Sequence, residues 1–308
     1  MQIIDFTRDM IPQAERLIHL NFMEERKAVD VLPAQAQHPP LDALAGNGLT
    51  CAAVEDGRLL GFLGAFGPWK PVFCTPDTAG VLSPLHAHAV QKEQRVMIWR
   101  RLYQAAGEKW ARAGAASHAI TLYAHDADAR DALYLYGFGV RCMDLMRPLT
   151  PIGAKGPDCR EIFDQRQVTP LRRALAEHLS KSPSFMRMNP EHLESWLAEK
   201  EQSHTRIFAA QREGRIAAFI EVDQEGENHL ACTGGTMNIC GAYCMPEYRG
   251  TGVAQSVLEE VIRVLGSEGY IRLGVDCESF NPTAMGFWSK YFQAYTHSVV
   301  RRIDENVL

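Results

Sequence analysis

The sequence lacks any C-x-x-C pair: its eight cysteines stand at 51, 74, 142, 159, 232, 240, 244 and 277. That scatter argues against zinc ribbons and redox motifs and fits the reduced thiols of a cytoplasmic protein. Cys240 and Cys244 share one face of strand-like sequence, but no further ligands stand nearby at a familiar spacing, so no metal is expected. No apolar run approaches the roughly 18 residues that span a bilayer, so no membrane role is expected. The first residues carry Asp5, Arg8, Asp9 and Glu15 among apolar ones, unlike a signal peptide. Basic excess is missing too. Lys+Arg total 32 against Asp+Glu 37, divided 15 and 16 before residue 150 and 17 and 21 after it. A phosphate backbone demands the opposite balance, so nucleic acid is not an expected partner.

What is present is an ordinary globular composition, 46% hydrophobic and 22% charged over 308 residues. That length suggests about two domains, each able to bury its own core. The stretch Pro148 to Asp158 holds three prolines and two glycines without apolar periodicity. It marks a linker over 150–158, between domains at 1–149 and 159–308. Both halves show one order of elements. In the second, a strand over Asn238 to Met245 leads through a glycine turn into a helix with Val253, Val257, Leu258, Val261, Ile262 and Leu265 on one face. A strand over Ile271 to Cys277, a helix opened by Asn281-Pro282 and a final strand over Thr296 to Ile303 come next. The first half repeats this: a helix from Glu93 to Ala113, a strand over His118 to Ala124, a short helix, and a strand over Val140 to Met146. Asp126 falls over Asn281 and Ala129 over Ala284, both at an offset of 155. The spacing predicts an α/β chain with two copies of one fold.

The segment Arg249-Gly250-Thr251-Gly252-Val253-Ala254 joins strand to amphipathic helix. Such a turn leaves backbone N–H groups converging at the positive end of a helix dipole, a place for a phosphate or pyrophosphate. The segment is not a Walker loop, and Gln255 breaks the dinucleotide fingerprint. It does fit Q/R-x-x-G-x-G/A through Arg249, Gly252 and Ala254. The lead-in Pro246-Glu247-Tyr248-Arg249-Gly250 and the later Asn281-Pro282-Thr283-Ala284 with Phe287 complete a set that resembles the GNAT N-acetyltransferases. The likeness is specific over Ile239 to Asp304, looser over Glu161 to Met237, and degenerate over 1–149.

The resemblance implies two GNAT-like domains in tandem, each a central mixed β-sheet flanked by helices, and an acetyltransferase using acetyl-CoA. The acceptor implied is a primary amine of a small molecule or peptide, acetylated by direct attack in a ternary complex. Backbone groups of Ala242, Tyr243 and Cys244 would pair with the coenzyme arm, with the Cys244 N–H as an oxyanion donor. Arg249, Gly250, Thr251, Gly252, Val253 and Ala254 would hold the pyrophosphate, and Asn281 would contact the arm. The sequence departs from the family at the usual tyrosine, where Trp288 stands. Tyr291, one turn on, is then the candidate acid, and Glu221 the candidate base, with Asp223, Asp276 and Glu278 as alternatives. In the first half, Ser83 to Val90 stands where the phosphate loop is expected and has neither glycine nor arginine, while Asp126 replaces the asparagine. That half is expected not to bind coenzyme. Phe62, Phe66, Trp69 and Phe73 read as packing residues, and His86, His88 and His125 as hydrogen-bonded ones. The loss of the tyrosine also leaves open a non-catalytic acyl-CoA-binding protein, and the chain reads equally as monomer or homodimer.

Overall fold

The computed structural model describes residues 1–72 and 78–303, so Phe73, Cys74 and Asp304 lie outside the described residues. In chain order the first half forms β1 (Gln2–Asp5), α1 (Ile11–Ala28), β2 (Cys51–Glu55), β3 (Arg58–Leu63), β4 (Phe66–Trp69) and β5 (Gly80–Ser83). Then come β6 (His88–Val90), α2 (Arg95–Arg112), β7 (Ser117–Tyr123), α3 (Ala127–Tyr134) and β8 (Gly139–Pro148). The second half forms β9 (Cys159–Ile162), α4 (Thr169–Ser180), α5 (Pro190–Glu201), β10 (Arg206–Arg212) and β11 (Arg215–Asp223). It closes with β12 (Thr236–Cys244), α6 (Val253–Ser267), β13 (Arg272–Glu278), α7 (Pro282–Trp288) and β14 (Gln293–Arg302). No helix among the described residues is long and apolar enough to cross a membrane.

The repeat is visible in the coordinates. β7 and β13 begin at 117 and 272, and α3 and α7 at 127 and 282, each pair 155 apart. Each helix after the repeat's middle strand is capped by a side chain, Asn281 as expected from the sequence and Asp126 at the matching position. Asp126 accepts from the Ala129 N–H at 3.0 Å, and Asn281 from the Ala284 N–H at 3.3 Å.

The compact units do not follow the expected boundary at 149. One unit comprises Met1–Met143, Asn228–Leu230 and the segment from Ala294; the other comprises Asp144–Glu227 and Ala231–Gln293. β14 therefore leaves the second half and runs antiparallel to β7, from Thr296 opposite Tyr123 to Arg302 opposite Ser117. Val299 is fully buried in the first unit's core, beside Ile120 and Leu122. Conversely, the end of β8 belongs to the second unit, where it neighbours β13. Period-2 patterning gives a strand's buried face but not which sheet receives it, so this exchange could not be read from alternation.

In the first unit, one sheet has the order β1–β2–β3–β6 and the other β4–β5–β7–β14. Phe62 is buried and stacks on Phe6 at 5.1 Å, as expected of a packing residue, whereas Trp69 is half exposed. In the second unit the order is β8–β13–β12–β11–β10–β9. α6 lies over this sheet through Val253, Val257, Leu258, Val261, Ile262 and Leu265, all buried. Burying six aliphatic side chains contributes roughly 9–18 kcal/mol, which fixes the start of α6 against the end of β12. The stretch expected as a linker is packed on the same helix: the N–H groups of Ile152 and Ala154 donate to Glu259 at 2.9 and 3.4 Å.

Candidate active site

The site begins with a break in a sheet. β12 and β13 pair in parallel from Thr236 opposite Arg272 to Ile239 opposite Val275. Both strands continue, to Cys244 and Glu278, yet their ladder stops there. β12 stays paired with β11 on its other side, with Cys240 as an extra residue between Ile239 (opposite Val222) and Gly241 (opposite Glu221). Such a bulge bends one strand and re-aims the residues beyond it. Just past the strand, the Met245 N–H donates to Ala217 on the β11 side at 2.9 Å. Because backbone groups alternate in direction along a strand, the N–H groups of Cys244 and Ala242 face the opening, and Tyr243's backbone faces β11. The expected trio thus divides: Ala242 and Cys244 offer backbone donors to the opening, while Tyr243 offers its ring.

The turn after β12 has the geometry its glycines suggest. Gly250 and Gly252 have φ of +76° and +91°, and Gly252 is the left-handed residue that opens α6. A β-carbon on Gly252 would also touch the Lys155 carbonyl at 3.4 Å. The first turn of α6 leaves backbone N–H groups without intrahelical partners. Arg249 is anchored by its Nε, which donates to the Cys244 carbonyl at 3.1 Å, and its guanidinium lies 5.4 Å over the Tyr243 ring. That anchor leaves the terminal nitrogens of Arg249 for another ligand.

Between these features lies a cleft of about 390 Å³, large enough for a sizeable part of a small ligand. Ala242, Tyr243, Cys244, Arg249, Gly250, Ala254 and Asn281, all expected site residues, line it. Thr251, Gly252 and Val253 shape the turn without lining the cleft: the Thr251 hydroxyl donates to the Tyr248 carbonyl at 2.7 Å, and Val253 is buried in the core. The sequence did not place Leu175 and His178 of α4, Phe219 of β11 or Lys290 on this lining, and Trp288, which stands at the usual tyrosine position, lines it too. Among the described lining residues there is no carboxylate, while Arg249 and Lys290 are cationic. Burial pushes the Cys244 thiol above its ordinary range, against the pull of Arg249, so it stays protonated.

Both candidates for proton transfer sit elsewhere. Glu221 is 1% exposed and does not line the cleft. Its Oε2 accepts from Arg172 at 2.9 and 3.2 Å, and its Oε1 accepts from Lys200 at 3.0 Å and Thr205 at 2.7 Å. Burial alone would raise its carboxyl, but Lys200, Thr205 and Arg172 outweigh that and hold it below the usual glutamate range. Tyr291 packs its ring on Phe287 at 5.3 Å, outside the cleft lining. Helical spacing placed it one turn beyond Trp288, but α7 ends at Trp288 and the chain turns away. Asp276 is raised to about 7 by burial and by Glu227, Asp144 and Glu278, and it too lies outside the lining.

The first unit carries the same skeleton with other side chains. β5 runs parallel to β7 only from Gly80 to Ser83, after which the chain crosses to pair β6 with β3. Ser83 to Val90 is therefore the splayed strand, not the loop as expected, because the turn before the helix is Gln91 to Gln94. Gln94 there has the left-handed φ of +56° that Gly252 has in the other unit. The adjoining cavity of about 240 Å³ is lined by Glu24, Glu25, Asp126 and Asp128 as well as Lys92 and Arg95. Arg95 bridges Glu24 at 2.7 Å and Asp126 at 3.4 Å, while Glu25 accepts from His125 through ring and backbone at 2.8 and 3.1 Å. Among the described residues no group of His, Cys, Asp and Glu is arranged to hold a metal ion.

Comparison with known proteins gives this geometry a lineage. Residues 172–292 match the model of the Acetyltransferase (GNAT) family. The fold is similar to a GCN5-related N-acetyltransferase from Sphaerobacter thermophilus, at a TM-score of 0.58 and 14% identity, over 98% of this chain and 95% of that one. It is also similar to a structure described as a GCN5-related glucosamine N-acetyltransferase region in a fungal multi-domain GH3 beta-N-acetylglucosaminidase. That likeness has a TM-score of 0.53 and 13% identity, over 97% of this chain and 38% of that one. Comparison with curated proteins finds no match. At such identities the structural likeness speaks for the fold, which runs through both units. The match to the Acetyltransferase (GNAT) family itself rests on residues 172–292, all but Asn228–Leu230 of them within the second unit.

Proposed function

We propose that the second unit binds acetyl-CoA in the cleft between β12 and β13 and transfers its acetyl group to a primary amine in a ternary complex. The observation that carries this reading is the ladder that stops at Ile239 and Val275 while β12 runs on, unpaired on that side, toward a left-handed glycine turn. A pantetheine arm has amide groups that suit the backbone donors of Ala242 and Cys244, and the Cys244 N–H suits a thioester oxygen as it gains charge. The α6 N-terminus and the terminal nitrogens of Arg249 suit a pyrophosphate, and the absence of carboxylates from the described lining removes any repulsion of that anion. The amine nitrogen attacks the carbonyl carbon, an N–C bond forms, and the C–S bond breaks with its electron pair on sulfur. Direct attack needs no acyl-enzyme, and Cys244, whose thiol stays protonated, is a poor nucleophile.

The first unit, on this reading, does not bind coenzyme. Gln94 stands where Gly252 does, Asp126 where Asn281 does, and four carboxylates line the corresponding cavity. An anionic ligand there would meet repulsion and would have to break the Arg95 pairs. A second reading, coenzyme binding without transfer, has Trp288 in its favour, since an indole cannot protonate a departing thiolate. One assay separates the two. Calorimetry reads coenzyme binding, and a thiol reagent reads CoA release with and without an added amine. Amine-dependent release supports transfer; binding without release at any amine leaves the second reading; absence of binding overturns both.

A further inference from the structure

We propose that His178 is the general base of the second unit's cleft, the group that takes the proton an attacking ammonium must lose. This role rests on the cleft's transfer of acetyl to an amine, and neither the family's motifs nor the sequence pattern gives it to this residue. An amine is protonated at neutral pH and cannot attack until a neighbouring group accepts a proton. The lining residues that titrate or carry charge are His178, Tyr243, Cys244, Arg249 and Lys290. Arg249 and Lys290 are donors with no acceptor to offer, Tyr243 offers a phenol O–H rather than a basic nitrogen, and burial keeps the Cys244 thiol protonated. Of the five, the imidazole alone offers a ring nitrogen with a lone pair that can take a proton.

Position agrees with elimination. His178 lies in the last turn of α4, half-buried, with its ring edge-on to Tyr243 at 6.4 Å between centroids. Tyr243 sits between Ala242 and Cys244, whose N–H groups face the same opening, so the imidazole borders the place where thioester and amine would meet. Neither ring nitrogen of His178 has a hydrogen-bond partner among the described residues, in contrast to Glu221, whose oxygens accept from three side chains.

The charges around it are accounted for on each packed element. On α4 itself, Glu177 is paired with Lys181 at 2.7 Å. From α5, Glu194 is taken by Arg173 at 2.7 Å and Lys200 by Glu221 at 3.0 Å, while His192 lies in the first turn. From the short turn before α4, Arg166 is taken by Asp164 at 2.9 Å. β12 presents Tyr243 and Cys244, with Arg249 over the tyrosine ring. In the step itself, one ammonium proton moves to a His178 ring nitrogen and the freed nitrogen pair forms the N–C bond. As the C–S bond breaks, a second proton passes from that nitrogen to sulfur, giving the amide and the CoA thiol.

The test uses the full chain, acetyl-CoA and a panel of 2-phenylethylamine, tryptamine and benzylamine, chosen because the described lining is largely apolar and has no carboxylate to hold a polycation. We expect H178Q and H178A to bind acetyl-CoA as the wild type does in calorimetry and to melt at the same temperature. Their kcat on any accepted amine should fall at least ~100-fold at neutral pH. The acidic limb of the pH profile should vanish, the deficit should shrink at alkaline pH where the amine sheds its own proton, and added imidazole should partly rescue H178A. Activity within threefold of wild type with the acidic limb retained would overturn the assignment while leaving acetyl transfer intact. A wild type that binds acetyl-CoA but acetylates no amine would overturn the transfer reading and the base with it, an outcome visible before any variant is made.

Discussion

Replacing Glu221 with glutamine separates a structural carboxylate from a chemical one. The side chain keeps its shape but loses the charge that balances Arg172, itself 1% exposed, and Lys200, which is 22% exposed. Removing one partner of a buried pair costs about 3–5 kcal/mol, because the remaining charge stays out of water without compensation. Lys200 can turn toward solvent; Arg172 cannot, so the lower half of that range is the floor. At about 2–4 °C per kcal/mol for a unit of this size, the second unit should melt roughly 6–20 °C lower. Replacing Arg172 and Glu221 together by methionine should recover much of this, since the burial cost leaves with the charges. The pH dependence comes from the depressed carboxyl. Its stabilising contribution is complete above the unfolded glutamate value of about 4.3 and fades as pH falls through the lower folded value. Thermal scans followed by two probes, with a calorimetric coenzyme titration well below the lowered transition, measure both consequences. Unchanged melting with a hundredfold loss of kcat would refute the reasoning and return Glu221 to the role of base.

Calorimetry should find one acetyl-CoA per chain, and Gly252→Val should abolish it, because a β-branched residue cannot hold φ of +91° and its side chain would press on the Lys155 carbonyl. Arg249→Ala should weaken coenzyme roughly 10- to 100-fold without lowering the melting temperature, as expected for loss of charge-assisted bonds to a ligand. Gln94→Gly should leave the stoichiometry at one, since the carboxylates of the first unit's cavity remain; a second site would refute the repulsion reading. His88 and His118 are buried, 6% and 1% exposed, and burial lowers each to about 4. Both are neutral in the fold and charge on unfolding, so the first unit should lose up to about 3 kcal/mol for each as pH falls from 6.5 toward 4, read by urea titration at stepped pH.

Local chemistry made much of the second unit legible. The turn Arg249 to Ala254 and the cap at Asn281 are short-range features whose glycines and asparagine do in the structure what their spacing implied. The buried face of α6 is the periodic face read from its sequence. Long-range choices were not legible. β14 alternates like any half-buried strand, and nothing in Thr296 to Arg302 says that its partner is β7. The same limit hid the roles of Glu221 and His178. Alternation placed Glu221 and Asp223 on one face, but it took α4 and α5 folding over the sheet to bury Glu221 under Arg172 and Lys200. His178 stands on a helix more than 60 residues before the motif that marks the site, and only tertiary packing brings it to the cleft. Tyr291 lies outside the cleft lining for a local reason, the end of α7 at Trp288, which a pattern of helical spacing cannot announce.

On the proposed reading, in which only the second unit takes coenzyme, the backbone of this fold does not by itself make a coenzyme site. Both have a strand that leaves its parallel partner after four paired residues, and both open the next helix from a left-handed residue. What differs is the charge set against that opening. In the second unit the described lining has cations and no carboxylate; in the first, Arg95 is consumed by Glu24 and Asp126, and Glu25 by His125. Those pairs hold the cavity's walls to one another, and a ligand would have to compete with them at short range. A left-handed glutamine is strained relative to glycine by only about 1–2 kcal/mol, so the turn geometry survives its substitution easily. If the first unit takes no coenzyme, as proposed, the cause is better sought in the electrostatics of the facing side chains than in the loop motif, and the Gln94→Gly and Gly252→Val variants place the two causes in direct opposition.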